Sequence, residues 1–294
     1  MPALYLVATP IGNLEDITFR AIRILREEVD LIACEDTRQT SKLLQHYGIH
    51  KPLLSYHEHN EVARAKEIVT ALQDDQSVAL VSDAGMPLIS DPGYRVVTAA
   101  IAQNFKVVPV PGPSAALSAL AASGLATDRF RFIGFVPQKP AARRRVFEEI
   151  ANESATVIAY ESPHRVIEAL ADIAEILGER TMVLARELTK IHEEFLRGTA
   201  QSIREELERR GSVKGEITLV IARAENNITA VEDPSFQVER LEREGVGRME
   251  AIKRIAKQMG LPKREVYRLV SEQGSSREDK APDLVRRSDP ESHG

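Results

Sequence analysis

Short apolar, β-branched runs recur along the chain, and each breaks into a polar or glycine-rich cluster. Leu4–Ala8, Val29–Ala33, Leu53–Tyr56, Val78–Val81 and Lys106–Val110 predict strands in the first part. Between them, apolar positions recur at helical spacing. Ile17, Ala21, Ile22, Ile24 and Leu25 follow Asp16, and further helices are predicted at Ser41–Tyr47, Glu61–Gln73 and Tyr94–Ala102. Alternation of this kind predicts an α/β layer on a largely parallel sheet. The polar clusters fall at the strands' C-terminal ends, the edge where such sheets bind ligands. The sharpest break is Val81-Ser82-Asp83-Ala84-Gly85-Met86-Pro87, where a buried strand stops at small residues.

The second part repeats the theme less regularly. Ala115–Ala122 predicts a small-residue helix linking two lobes. Phe130–Phe135, Thr156–Tyr160, Thr181–Ala185 and Glu216–Ala222 predict strands, and Val146–Ala151, Val166–Leu177 and Ser202–Arg210 predict helices. Phe195–Gly198 reads as turn-like. These strands are expected to include antiparallel pairs. Ala224–Pro234 is polar and turn-rich, so a boundary is placed there. Beyond it, Ala251, Ile255 and Ala256 form one apolar face and Val266, Leu269 and Val270 another, around a Met259–Pro262 turn, which is a helix-turn-helix layout. The organisation read from the pattern is 1–112 and 113–224 for two α/β lobes, 235–272 for a helical appendix, and 273–294 for a charged, apolar-poor tail expected to be disordered.

Composition narrows the class. With 43% apolar and 28% charged residues among 294, the chain reads as soluble and globular. The net charge of -5 argues against a wholly basic RNA-coating protein. Local basic patches remain: Lys139, Arg143, Arg144 and Arg145 lie in a stretch without acidic residues. Cys34 is the single cysteine, so no internal disulfide forms and a reducing cytoplasm is expected. The N-terminus lacks the basic region and cleavage site of a signal peptide. The uncharged run Val107–Thr127 is interrupted by three prolines, so it predicts a turn and a buried helix rather than a membrane span.

Missing motifs weigh against several chemistries. No GxGxxG follows the first strand and no GxxxxGK[ST] occurs, so the dinucleotide and P-loop readings lose their main support. His57-Glu58-His59 does not make a helical metal pair, and no metal is expected. Ser114 sits in Pro-Gly-Pro-Ser rather than a nucleophile elbow.

Six motifs in order carry a resemblance. They are Thr9-Pro10-Ile11-Gly12-Asn13, Glu35-Asp36-Thr37-Arg38, Ser82-Asp83-Ala84-Gly85-Met86-Pro87, Pro111-Gly112-Pro113-Ser114-Ala115, Glu161-Ser162-Pro163-His164-Arg165 and Arg186-Glu187-Leu188-Thr189-Lys190. Together they resemble the tetrapyrrole-methylase superfamily, and within it the branch of bacterial small-subunit rRNA (cytidine-2'-O)-methyltransferases. The resemblance implies two α/β lobes with S-adenosylmethionine in the cleft between them. Pro10 would line the donor pocket, Val81, Ser82, Asp83, Ala84, Gly85 and Met86 would hold its polar groups, and Ser114 and Ala115 would cover the adenosine. Tyr160, Glu161, Leu188 and Thr218 match positions of the second lobe. The implied acceptor is a cytidine 2'-hydroxyl in the decoding region of 16S rRNA, in an assembled small subunit, and the implied state is a homodimer.

A base that takes the hydroxyl proton is sought among Glu187, Lys190, Asp36 and His57. Arg38, the Lys139–Arg145 cluster and Lys263, Arg264 and Arg268 are candidates for phosphate contact. Two rivals stand beside this reading. One is a methylase of a small tetrapyrrole, which has no use for a basic appendix. The other is a DNA-binding regulator with a donor-sensing lobe.

Overall fold

The computed structural model describes residues 1–224, 234–259 and 262–278. The chain divides into two compact units, Met1–Glu225 and Asn226–Gly294. The first unit holds two five-stranded sheets.

The first sheet contains β1 (Ala3–Val7), β2 (Leu31–Cys34), β3 (Leu53–Ser55), β4 (Val78–Val81) and β5 (Lys106–Val110), in the order β3-β2-β4-β1-β5. All pairs are parallel. Side chains alternate between its faces, as a period of two requires. Val78 and Leu80 join Leu4 and Leu6 on one face, against α3 (Glu61–Gln73) and α4 (Tyr94–Ala102). Ala79 and Val81 join Val7 and Ile32 on the other. That second face packs α1 (Phe19–Arg23), its π-helical continuation through Glu28, and α2 (Thr37–His46). Burial on both faces is why these strands read as continuous apolar runs.

The second sheet contains β6 (Phe130–Phe135), β7 (Thr156–Glu161), β8 (Thr181–Arg186), β9 (Glu194–Thr199) and β10 (Ile217–Ile221), ordered β6-β7-β10-β8-β9. Only β6 and β7 are parallel. Its outer face buries Val157, Leu184 and Leu219 under α6 (Pro140–Glu149), α7 (Val166–Leu177) and α8 (Ala200–Arg209). Its inner face buries Ile158, Val183 and Val220 under α5 (Ala115–Ser123). Ile11, from the turn after β1, packs in that same inner cluster. The two lobes therefore share apolar surface.

Four local readings are corrected. Phe195–Gly198 belongs to strand β9, not a turn; Glu194 at its start is held by Arg186 of β8 at 2.5 Å. Arg143–Arg145 lie on helix α6, which starts at Pro140, a residue suited to a helix's first turn. The cap of α1 is Thr18, whose hydroxyl accepts from Ala21 N at 3.1 Å, and Asp16 ends a separate 3-10 turn. Helix α2 begins at Thr37 because the Asp36 side chain accepts from Arg38 N at 2.8 Å.

The second unit is a three-helix cluster of α9 (Pro234–Arg243), α10 (Arg248–Met259) and α11 (Lys263–Glu278), closed around Val238, Ile252, Ile255, Val266 and Val270. Helix α9 precedes the anticipated helix pair, and α11 continues to Glu278, so 273–278 of the expected tail is helical. Residues 279–294 lie outside the described residues.

Candidate active site

The registers of the first sheet gather its functional loops. Val7 pairs with both Val81 and Val110, and Val81 with Cys34. Strands β1, β2, β4 and β5 therefore end level, and the four motifs that follow them emerge together. Backbone bonds stitch two of these loops. Thr9 N donates to Gly85 O at 2.9 Å and Gly85 N to Thr9 O at 3.0 Å. The Thr9 hydroxyl donates to Ser82 O at 3.0 Å and the Ser82 hydroxyl to Gly85 O at 3.2 Å. Gly85 has a φ of 81°, which a glycine adopts freely. Leu88 and Ser90 take positive φ in the same loop, a costly conformation for residues with a Cβ.

Between this loop and the second sheet lies a cavity of roughly 340 Å³. Asp83, Ala84, Gly85, Met86, Ser114 and Ala115 line it from the first lobe, and Tyr160, Glu161 and Thr218 from the second. Three anticipated residues stand behind this lining. Val81 and Ser82 are buried in the wall, and Leu188 packs in the apolar cluster under α5. Pro10 is buried beside the Thr9 bridge and is not among the lining residues. Sequence reasoning missed Ile11, Ile89, Asp91, Phe135 and Glu216. Asp91 and Ile89 follow the Ser82–Pro87 motif directly, so continuing along that loop was the signal that could have found them.

The lining contains four carboxylates, Asp83, Asp91, Glu161 and Glu216, and no lysine, arginine or histidine. Burial, then the charges of Glu35 and Asp83, push the Asp91 carboxyl up to about 6. Glu35, just after β2, is also raised, first by burial and then by Asp83 and Glu58. Glu161 is 2% exposed. One of its oxygens accepts from Ser162 N at 2.6 Å and lies 3.3 Å from Arg165, while Oε2 is buried without a partner among the described residues. Burial raises this carboxyl as well.

The Glu187–Lys190 loop lies next to the lining, tied to it through Glu216. Glu187 and Thr189 have φ of 53° and 66°, and for a β-branched threonine this is a strained backbone. Asn13 N donates to the Thr189 hydroxyl at 3.0 Å. A Cβ on Gly12 would sit 2.5 Å from Lys190 Cγ, so the two loops meet with no room for a side chain. Lys190 Nζ donates to Glu187 Oε1 at 2.8 Å and to Glu216 Oε2 at 3.2 Å. Burial draws the Lys190 ammonium down, but the bond to Glu187 and the charge of Glu216 outweigh it and hold it above its usual range. Glu187 is lowered, first by Lys190 and then by Glu216 N.

Asp36 and His57 are similarly committed. Asp36 caps α2, binds Arg38 Nη2 at 3.1 Å and is lowered by that bond, while its own N–H donates to Asp83 at 3.1 Å. Asn60 accepts from His57 N at 2.9 Å, which orients its amide, and its Nδ2 then lies 3.1 Å from His57 Nε2. Nε2 is thus occupied, and Nδ1 is buried without a partner among the described residues.

The basic candidates separate by environment. Arg38, with a side chain 87% exposed, and Lys139 face solvent. Arg145 also does, in a helical pair with Glu149. Arg143 is a correction: its side chain is 4% exposed, donating to Asp172 at 2.6 Å and Glu168 at 3.1 Å. It ties α6 to α7 and is closed to a phosphate. Arg144 bridges Asp172 and Glu175 in the same network. Arg143→Ala leaves Asp172 short of a buried partner and is expected to cost about 3 kcal/mol. Arg145→Ala is expected to cost well under about 1 kcal/mol. Urea denaturation of the two variants checks the contrast. Lys263, Arg264 and Arg268 all lie on the first turns of α11, in the second unit.

The Tetrapyrrole (Corrin/Porphyrin) Methylases family matches residues 3–204. The chain is 48% identical to the "Ribosomal RNA small subunit methyltransferase I" of Halalkalibacterium halodurans, over 90% of this chain and 93% of that protein. It is 48% identical to the protein of the same name from Synechocystis sp., over 92% and 97%. Among solved structures, uroporphyrin-III-C-methyltransferase from Thermus thermophilus matches with a TM-score of 0.54 at 19% identity, covering 76% of this chain and 95% of that one. Diphthine synthase also matches, with a TM-score of 0.54 at 14% identity over 75% and 90%. These two likenesses concern the two-sheet fold. Among the described residues no helix is long and apolar enough to cross a membrane, and no group of metal-binding side chains is assembled. A match across both lobes, and close relatives along nearly the whole length, place this chain in the tetrapyrrole methylase family, in the group of ribosomal RNA small subunit methyltransferase I enzymes.

Proposed function

We propose that this methyltransferase moves the methyl group of S-adenosylmethionine to the ribose 2'-oxygen of a cytidine in the decoding region of 16S rRNA. The substrate would be the assembled small subunit, the enzyme a homodimer, and the setting the cytoplasm. One observation carries the donor assignment: the cavity between the lobes is lined by four carboxylates and no cation. Such a wall favours a ligand with positive charge, and an RNA phosphate is repelled from it. The buried, unpartnered Glu161 Oε2 adds an acceptor that a ligand amino group would satisfy. A sulfonium donor with an ammonium and an adenine amino group has this chemistry.

When bound, the donor supplies an already activated methyl on a positively charged sulfur. The protein's part is alignment, which can supply much of the acceleration of an in-line displacement. Asp83 and Asp91 would hold the donor's charge, Ser114 and Ala115 would flank its adenosine, and Phe135 and Tyr160 give the cavity an aromatic side. Lys190 stands next to the lining, through Glu216, and would meet the acceptor ribose or its phosphate. The resting bonds of Glu187, Asp36 and His57 favour positioning over proton abstraction. Arg38, Lys139 and Arg145 would contact phosphates around the first unit, and Lys263, Arg264 and Arg268 would do so from the second.

The test is incubation with methyl-labelled donor and small subunits lacking the modification, followed by nuclease mapping. Label on a single ribose 2'-oxygen is expected. Label on a base, or none on RNA, would overturn the reading.

A further inference from the structure

We propose that the groove between the first turns of α10 and α11 binds an unpaired RNA nucleotide, stacking its base on Tyr267 and holding adjacent phosphates with Lys263 and Arg264. This rests on the reading of the chain as an rRNA methylase and adds a place where unpaired RNA is gripped. The groove encloses about 650 Å³, room for a nucleotide, with Met249 and Lys253 on its α10 side. The bundle's core closes without its exposed members: Ile252 and Val266 are buried, while Met249 is 69% and Tyr267 52% exposed. Met249 and Tyr267 line one groove, so an aromatic ring and a methionine are both open to solvent there.

Spacing places the three α11 residues together. Lys263 and Tyr267 are four apart and Arg264 and Tyr267 three apart, so they share one helical face. Neither Lys263 nor Arg264 makes an ion pair or side-chain hydrogen bond among the described residues. The one acid in the groove, Glu250, lies 3.9 Å from Lys253 and 3.5 Å from Arg254. The groove is thus cationic with an aromatic floor. That pairing fits a single strand, whose bases are open for stacking and whose phosphates lie alongside. A duplex keeps its base faces internal and would leave Tyr267 and Met249 unused.

Binding is measured by fluorescence anisotropy on the full chain. The probes are a short single-stranded oligoribonucleotide, the same strand paired to its complement, and a matching abasic strand. Tyr267→Ala is expected to weaken single-strand binding about 5- to 160-fold, the range for one lost stack, with the abasic strand unaffected. Tyr267→Phe should bind like the parent, because the ring is kept. Replacing Lys263 and Arg264 by Ala should weaken all strands alike and reduce the salt slope by about 1.4. Parental single-strand affinity in Tyr267→Ala, or a duplex held as tightly as the single strand, would overturn the groove. Methyl transfer to small subunits, assayed on the same preparations, separates the two readings. No transfer by the parent refutes the methylase assignment. Transfer by the parent, with binding and KM unchanged in Tyr267→Ala, refutes the groove alone.

Discussion

Asp91→Asn is expected to weaken donor binding and, at neutral pH, to stabilise the protein without donor. Both effects follow from one carboxyl raised to about 6 by burial and by Glu35 and Asp83. Its usual value is 3.8, so the folded state takes up a proton between those two values. Below about pH 4 the group is neutral in both states and contributes nothing. Above about pH 6 its charge is held in the fold at a cost, and Asn removes that cost. The variant's thermal midpoint should exceed the parent's at pH 7.5 and equal it near pH 3.5, conditions chosen from about one and a half units above the folded value and just below the unfolded one. A cationic donor reverses the balance, because it favours the ionised form. Donor affinity in the parent should fall as pH drops below 6, by at most about tenfold per unit for one proton. The thioether product carries no sulfonium charge and should show a smaller pH dependence. Calorimetric titration of donor and product from pH 5 to 7.5, a span of about a decade either side of the midpoint, reads all of this. A pH-independent donor affinity in the parent would refute the role given to Asp91.

Lys190→Ala is expected to reduce the rate of methyl transfer at saturating donor by about 10²-fold or more, the scale seen when one fixed charge at a reacting centre is removed. Donor affinity should change little, since Lys190 stands outside the anionic lining and is bound to Glu187 and Glu216. Two of its three N–H donors are used in those bonds, and the third is free for the acceptor. Its raised pKa keeps it cationic across the working range, so a pH–rate profile should show no limb that Lys190→Arg moves. Lys190→Arg should recover only part of the rate, because Gly12 leaves little space beside the Lys190 stem and a planar guanidinium needs more. An unchanged single-turnover rate in Lys190→Ala would place this residue among the structural contacts between the loops.

Much of the architecture was legible because apolar burial in a parallel sheet writes itself as uninterrupted β-branched runs. Val78–Val81, Glu61–Gln73, Tyr94–Ala102, Lys106–Val110, Phe130–Phe135 and Val166–Leu177 begin and end where the pattern places them. The failures share a cause. Strand β9 contains Arg197 and Gly198, and its partner across the sheet supplies what its own composition lacks. The α6 arginines read as candidates for phosphate contact, because nothing local shows that Asp172, twenty-nine positions from Arg143, buries that one. His57 and Lys190 have the right types for bases, but Asn60 and Glu187 decide which of their atoms are available.

By itself, the alternation of apolar strands and small-residue loops determined an α/β fold in two lobes; the six motifs, through the family they resemble, added the methylase reading and named about half of the residues that line the cavity. Local sequence suffices there because each loop must follow its strand, and level strand ends bring the loops together. Only the tertiary structure decided the cavity's charge. Asp83 and Asp91 share the loop after β4, whereas Glu161 ends β7 and Glu216 immediately precedes β10, and their convergence without a cation depends on the packing of two sheets. Burial and mutual repulsion, which have no counterpart in a linear sequence, then set the carboxyl that responds near pH 6.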